Sequence, residues 1–187
     1  MGSIFSKPAN LADRNFKKSL HGALMLWSWG IFLPGGVAMA TWGRGVLNGP
    51  LWFFTHRSLG YAGVLLAAAG TLIARAIGSG NERAASHRLI GYATTLLGLA
   101  QPIIAYYRPE PKTEEEKALK AKGQWKPRAQ WFALHKYLGW LCCALGLLNI
   151  RQGLAMFDPD NALSSAYAAG LVAIGGGVSA WNIAYLV

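Results

Sequence analysis

Four histidines, His21, His56, His87 and His135, are the residues of this 187-residue chain whose type and placement promise chemistry. Each lies in a different long apolar run, and a fifth apolar run has none. An ionisable side chain inside a membrane segment is costly enough to mark a functional position by default. Three of the four share a local context: His56-Arg-Ser-Leu-Gly60, His87-Arg-Leu-Ile-Gly91 and His135-Lys-Tyr-Leu-Gly139. The glycine at i+4 falls on the histidine's own helix face. It removes side-chain bulk where a flat group must pass close to the backbone. His21 departs from the pattern, with Gly22 beside it and Met25 at i+4.

The elements that must position these residues follow from composition. The chain is 53% hydrophobic and 14% charged, with 23 glycines, and its charges cluster between apolar runs at 20–41, 51–77, 87–107, 130–157 and 162–187. About 20 apolar residues cross a hydrocarbon core about 30 Å thick. With no water in that core, only helices or closed barrels satisfy the backbone, and runs this long exclude barrel strands. An all-α integral membrane bundle of five transmembrane helices is predicted, four of them forming the histidine core. Pro34 and Pro102 are expected to kink their helices, and small residues to let helices approach closely. Residues 1–19 read as a polar arm without the apolar core and cleavage site of a secretory signal, so the first helix is expected to be retained. Residues 20–187 then form one domain. The segment 108–128 alternates acids and bases and reads as a connector able to form a short solvated helix. Cys142 and Cys143, in mid-span, are expected as buried free thiols.

Following the chain back and forth sets the depth of each histidine. Calling the N-terminal side A and the opposite side B, His21 and His87 lie near side A, and His56 and His135 near side B. The pairs are therefore His21 with His87 and His56 with His135, at levels roughly 15 to 20 Å apart. Two imidazoles on one haem iron fill both axial positions and leave outer-sphere electron transfer as the expected work. Two haem b groups, one per level, are predicted. Zinc is the rival metal, but a histidine pair supplies too few ligands for a closed tetrahedral site. Arg57, Arg88 and Lys136 follow their histidines at the membrane edge, where they can pair with haem propionates or snorkel to headgroups. Gln101 is expected near the side-B haem and Asn149 near the side-A haem, as hydrogen-bonding partners. A glycine face through Gly139, Gly146 and Gly153, and through Gly91 and Gly98, continues the histidine face, with plain helix packing as the equal alternative reading.

Taken together these residues resemble the cytochrome b561 family, in particular the cytochrome domain that in many relatives follows an extracellular DOMON domain. The resemblance runs from His21 to Val187. It rests on His21-Gly-Ala-Leu-Met-Leu-Trp-Ser-Trp-Gly with Pro34 after it, Trp52-Phe-Phe-Thr-His56-Arg, His87-Arg-Leu-Ile-Gly91 leading to Gln101-Pro102 and Arg108-Pro109, and His135 to Gly139 leading to Asn149-Ile150 and Gly153. It implies two b haems with the pairing that depth gave, and transmembrane oxidoreduction from ascorbate to monodehydroascorbate or ferric chelates. It also implies that bases at the cytoplasmic haem edge help dock ascorbate, with Arg44, Arg57, Lys136 and Arg108 as the side-B candidates. The sequence departs from those relatives in carrying five runs rather than six and no DOMON domain.

Bases outside the spans favour side B, eight against five, so the positive-inside rule orients side B to the cytoplasm. Met1-Gly2-Ser3-Ile4-Phe5-Ser6 fits an N-myristoylation pattern, which needs a cytosolic N-terminus and conflicts with that orientation. The net charge of +10 suits anionic lipid, and no base-reading element points to nucleic acid. The expected partners are membrane lipid and a small anionic redox substrate such as ascorbate, or a partner redox protein. The alternative is a haem-bearing or structural accessory subunit of a larger respiratory or photosynthetic membrane complex. A quinol-coupled b-type anchor is a third possibility, against which one histidine per helix argues.

Overall fold

The computed structural model describes residues 7–78, 83–157 and 162–172, and among them the chain is helical with no strand. The first span joins α1 (Lys7–Met25), a π-helical segment (Leu26–Phe32) and α2 (Leu33–Val46). Then follow α3 (Leu51–Ile77), α4 (Arg83–Tyr106), α5 (Glu114–Ala121) and α6 (Lys126–Phe157), and α7 (Ala162–Val172). Four helices among the described residues are long and apolar enough to cross a membrane: 11–46, 51–77, 84–106 and 126–157. The chain is an integral, multi-pass membrane protein. The expected fifth span begins as α7, an apolar helix, and its remainder lies outside the described residues. The polar stretch expected as an arm is already helical from Lys7 and extends the first helix outward.

The burial pattern is that of a bundle in lipid. Leu65, Leu72, Leu89 and Leu96 are 65–72% exposed, because lipid tails are as good a solvent for leucine as the protein interior. What the bundle buries instead is small or polar: Ala67, Ser28, Thr94 and Thr95, with Trp29 and the two thiols Cys142 and Cys143. Without a hydrophobic drive between helices, association rests on close packing and interhelical hydrogen bonds. Both occur along α3. A Cβ on Gly36 would sit 3.4 Å from His56 O, and one on Gly63 2.6 Å from Leu33 Cγ, so the backbones approach where side chains are missing. Ser28 Oγ donates to Gly63 O at 2.7 Å.

Helix α3 packs along both α1 and α2, and α4 pairs with α6. The short turn at Leu47–Pro50, with Gly49 at φ +59°, makes the first pair antiparallel. Cross-helix contacts then step down one helix as they step up the other: His21 with Gly70, Ser28 with Gly63, and His56 with Gly36. The second pair does the same through His87 with Asn149, Gln101 with His135, and Ile104 with Trp131.

The two pairs meet around Trp29, which is 4% exposed and packs with Ala67, Cys142, Leu97, Leu138 and Ile150. Its ring occupies the space left by Gly98 on α4, where a Cβ would lie 3.0 Å away, and by Gly146 on α6, where a Cβ would overlap it. These two glycines, expected to continue the histidine face, therefore serve a tryptophan between the histidine levels. The wide turns end at Leu33, whose N–H bonds Ser28 O, and Pro34 opens α2. Proline has no N–H to give and clashes with the carbonyl four residues back; an i→i−5 bulge just before it loosens that turn.

The connector 108–128 is held by charge. Thr113 and Glu116 form a capping box at the start of α5. Glu110 accepts from Arg108 at 2.6 Å, and from Lys120 and Arg128 at 3.1 Å. The Lys120 hydrogen bond is the largest influence holding the Glu110 carboxyl below the usual glutamate range, with Arg108 adding to it. The backbone N–H groups of Lys112 and Thr113 do the same for Glu116. Both groups are exposed, so each contributes little on its own.

Two outcomes follow from this packing. Gly146→Ala should lower the thermal stability of the detergent-purified protein by about 1–3 kcal/mol, the cost of overpacking, whereas Gly45→Ala, with nothing within 4 Å, should cost nothing; equal behaviour of the two would remove Trp29 from the role of packing centre. Both connector carboxyls are depressed, so their stabilisation is complete above the ordinary glutamate value of 4.5 and is lost as pH falls through the lower folded values. Hydrogen exchange of the α5 amides, corrected for intrinsic rates, should accelerate across that acid range while the spans stay protected.

Candidate functional site

The structure brings the four histidines together in two pairs. On side A, His21 from α1 and His87 from α4 have ring centres 6.2 Å apart and planes at 89°. On side B, His56 from α3 and His135 from α6 repeat this at 6.3 Å and 88°. All four rings are half-buried. Gln101, which stands beside His135, lies fourteen residue steps along α4 from His87, so the two levels are roughly 20 Å apart at about 1.5 Å per step.

Each imidazole has one nitrogen engaged by a neighbouring helix. His21 Nδ1 lies 2.9 Å from Gly70 O, His56 Nδ1 2.7 Å from Gly36 O, and His87 Nδ1 3.2 Å from Asn149 O. A carbonyl oxygen only accepts, so each of these rings carries its proton on Nδ1. The lone pair is thereby left on Nε2, the state in which histidine ligates a metal. His135 Nδ1 faces a side chain instead, the terminal amide of Gln101 at 2.8 Å. The Trp131 ring stacks on His135 with centres 5.4 Å apart and planes at 4°, and Trp131 Nε1 donates to Ile104 O at 2.7 Å. Arg128 lies over the Trp131 ring at 5.0 Å.

The three bases that follow the histidines behave differently. Arg57 lies over the Phe53 and Phe54 rings at 5.8 and 5.7 Å, and Lys136 over Phe132 and Tyr137 at 6.0 and 5.7 Å. Both are exposed. Arg88 is half-buried, lines the cleft that His21, Thr71, His87, Gly91 and Asn149 also line, and leaves Nη1 buried without a partner. Arg57 and Lys136 each have a phenylalanine at i−4, one turn away on the same face, where Arg88 has Ala84. That difference is the sequence signal separating the inward cation from the outward ones. Arg44 lies 4.3 Å over Trp52, and Arg108 is held by Glu110.

The expected polar groups fall at their levels, Gln101 beside His135 and Asn149 beside His87. Asn149 meets the histidine through its main-chain oxygen, while its Oδ1 is buried without a partner. The motif glycines are unequal. A Cβ at Gly91 would meet Asn149 Nδ2 at 2.9 Å and one at Gly153 would meet His87 Cε1 at 3.2 Å, whereas Gly60 has open space around it. Sequence reasoning missed the carbonyls of Gly36, Gly70 and Asn149, because a main-chain acceptor carries no residue-type signature. It also missed Trp131, whose place one turn before His135 is a signal. Among the described residues no cluster of three or more metal-binding side chains occurs, so each site offers two protein ligands.

Fold and site define a membrane-spanning helical bundle with paired histidines at two depths. Comparison with known proteins adds particular likenesses. The chain is 27% identical over 165 residues to a cytochrome b561 and DOMON domain-containing protein of Arabidopsis thaliana, covering 87% of this chain and 38% of the relative. It is 29% identical over 139 residues to a second protein of that description from the same plant, covering 73% and 31%. A cytochrome b561, DM13 and DOMON domain-containing protein of that plant is 29% identical over 152 residues, 80% of this chain and 16% of the relative. By these similarities the chain resembles, over most of its length, proteins described as cytochrome b561 and DOMON domain-containing. It spans between 16% and 38% of the length of these relatives. No family model and no solved structure matches it.

Proposed function

We propose that this chain carries electrons across the bilayer through two b haems, one held by His21 and His87 and the other by His56 and His135. The observation that carries the reading is the spacing of the two pairs. A metal–imidazole bond of about 2.0 Å added to roughly 1.1 Å from ring centre to nitrogen puts two trans imidazoles about 6 Å apart. The pairs stand at 6.2 and 6.3 Å. Edge-to-face aromatic contacts also occur at such distances, but simple packing does not require Nδ1 of His21, His56 and His87 to face carbonyls and leave Nε2 as the ligating atom.

Other features fit the same group. The unpartnered Arg88 Nη1 in the side-A cleft suits a carboxylate such as a haem propionate. A haem held by each histidine pair would supply one-electron exchange. The carbonyls of Gly70, Gly36 and Asn149 orient three of the rings and set their proton on Nδ1. Two ligands per site are too few for a closed zinc site.

The proposed donor is of the ascorbate type and the proposed acceptor monodehydroascorbate or a ferric chelate. The more basic loops lie on the side of His56 and His135, which orients that face to the cytoplasm by the positive-inside rule. An anionic substrate arriving there would meet Arg44 and Arg108, both already held in place by neighbours.

The test is a reduced-minus-oxidised spectrum with pyridine haemochrome quantification on detergent-purified chain. Two low-spin b haems per chain, reduced by ascorbate and reoxidised by monodehydroascorbate, are expected. Protein without haem would sink the proposal, and haem that neither reagent reaches would make the chain an accessory subunit. In the same assay His87→Ala should lose mainly the haem shared with His21, and His135→Ala mainly that shared with His56. Equal partial loss of both haems in each variant would contradict the paired geometry.

A further inference from the structure

We infer that Gln101 is a positioning residue for His135, its side-chain oxygen accepting the Nδ1 proton and thereby leaving Nε2 for iron; this rests on the two-haem reading above. His135 is the one histidine of the four whose Nδ1 faces a side chain rather than a carbonyl. The amide stands 2.8 Å from that nitrogen and has two faces to offer. Turned with its nitrogen to the ring, it donates to Nδ1, Oε1 accepts from Gly139 N at 3.1 Å, and the imidazole proton moves to Nε2, closing the ligand atom. Turned with its oxygen to the ring, it accepts from Nδ1–H and leaves Nε2 bare. In that orientation the amide nitrogen faces Gly139 N at 3.1 Å and the oxygen also faces His135 O at 3.3 Å, so the contact with Gly139 is given up for the one with Nδ1.

Ligation at Nε2 therefore selects one face of the amide. The other three histidines have their tautomer set by main chain, which no substitution removes. At His135 the acceptor is a side chain, so its strength can be exchanged, and a stronger acceptor on Nδ1 makes the imidazole a better donor to iron. That favours the ferric state and lowers the reduction potential; a missing acceptor does the reverse.

The experiment is a spectroelectrochemical titration of the full-length wild type, Gln101→Glu and Gln101→Leu in detergent, each preceded by haemochrome counting. With two haems per chain, one of the two midpoint potentials should fall in Gln101→Glu and rise in Gln101→Leu, while the other holds. Loss of that single haem in Gln101→Leu, with retention in Gln101→Glu, would also support the role. Shifts of the same sign in both variants, equal movement of both haems, unmoved potentials, or loss of a haem in both variants would overturn it, since a purely structural amide has no reason to give opposite signs. Fewer than two haems in the wild type would instead fail the underlying reading.

Discussion

An imidazole held away from water must have both nitrogens satisfied, and in this bundle that requirement fixes how the helices face one another. A buried polar group without a partner costs about 1–3 kcal/mol, and for three of these rings the partner comes from a neighbouring helix. The carbonyl of Gly70 is met from α1, that of Gly36 from α3 and that of Asn149 from α4. Each tie joins two helices near one end of their contact. The pair formed by the first span and α3 is tied at both ends, and Ser28 to Gly63 adds a tie between them. A slip of either helix along the other would break these bonds together, so depth, pairing and register are one constraint.

Between the two levels the problem is volume. Trp29 is the largest side chain in the core, and it is admitted by Gly98 and Gly146 on two helices and by a π segment on its own. Adjacent residues on an α-helix point about 100° apart, yet Ser28 and Trp29 are both buried. Because the first span faces α3 on one side and α6 and α4 on the other, two neighbouring positions can both point inward. Serine ties the span to α3 while the tryptophan fills the centre.

How much of this was legible in the sequence depends on what kind of information each feature carries. The spans were readable because apolar runs report the bilayer directly: 51–77 was expected and α3 has those bounds. The start of the first helix was not, since the polar residues from Lys7 to Ser19 are helical without being apolar. Histidine pairing was readable because successive crossings alternate direction, which needs only counting. The Nδ1 acceptors were hidden, because a carbonyl looks the same at every position. Gly98 and Gly146 were seen, with helix packing as one of two readings, but the neighbour that fills their space, Trp29, was not. Spacing places a glycine on a face and does not say whether an imidazole or a tryptophan fills the space.

The repeated His-base-x-x-Gly motif makes the limit of local reading plain. It recurs on α3, α4 and α6 with the same spacing, and the rings it carries take part in pairs of nearly equal separation and angle. The surroundings are not repeated. On side A the base turns into the cleft and an asparagine oxygen is left unpartnered. On side B the bases lie over aromatic rings or are paired with Glu110, and a tryptophan and an amide meet the histidine. A motif four residues apart fixes only one face of its own helix. What meets the second nitrogen, and where the neighbouring charge goes, is decided by the facing helix and by the residue one turn earlier. Two histidine pairs with the same geometry can therefore differ in electrostatic setting without any change in the motif itself, and under the proposed two-haem reading that difference would be the lever that sets the two potentials apart.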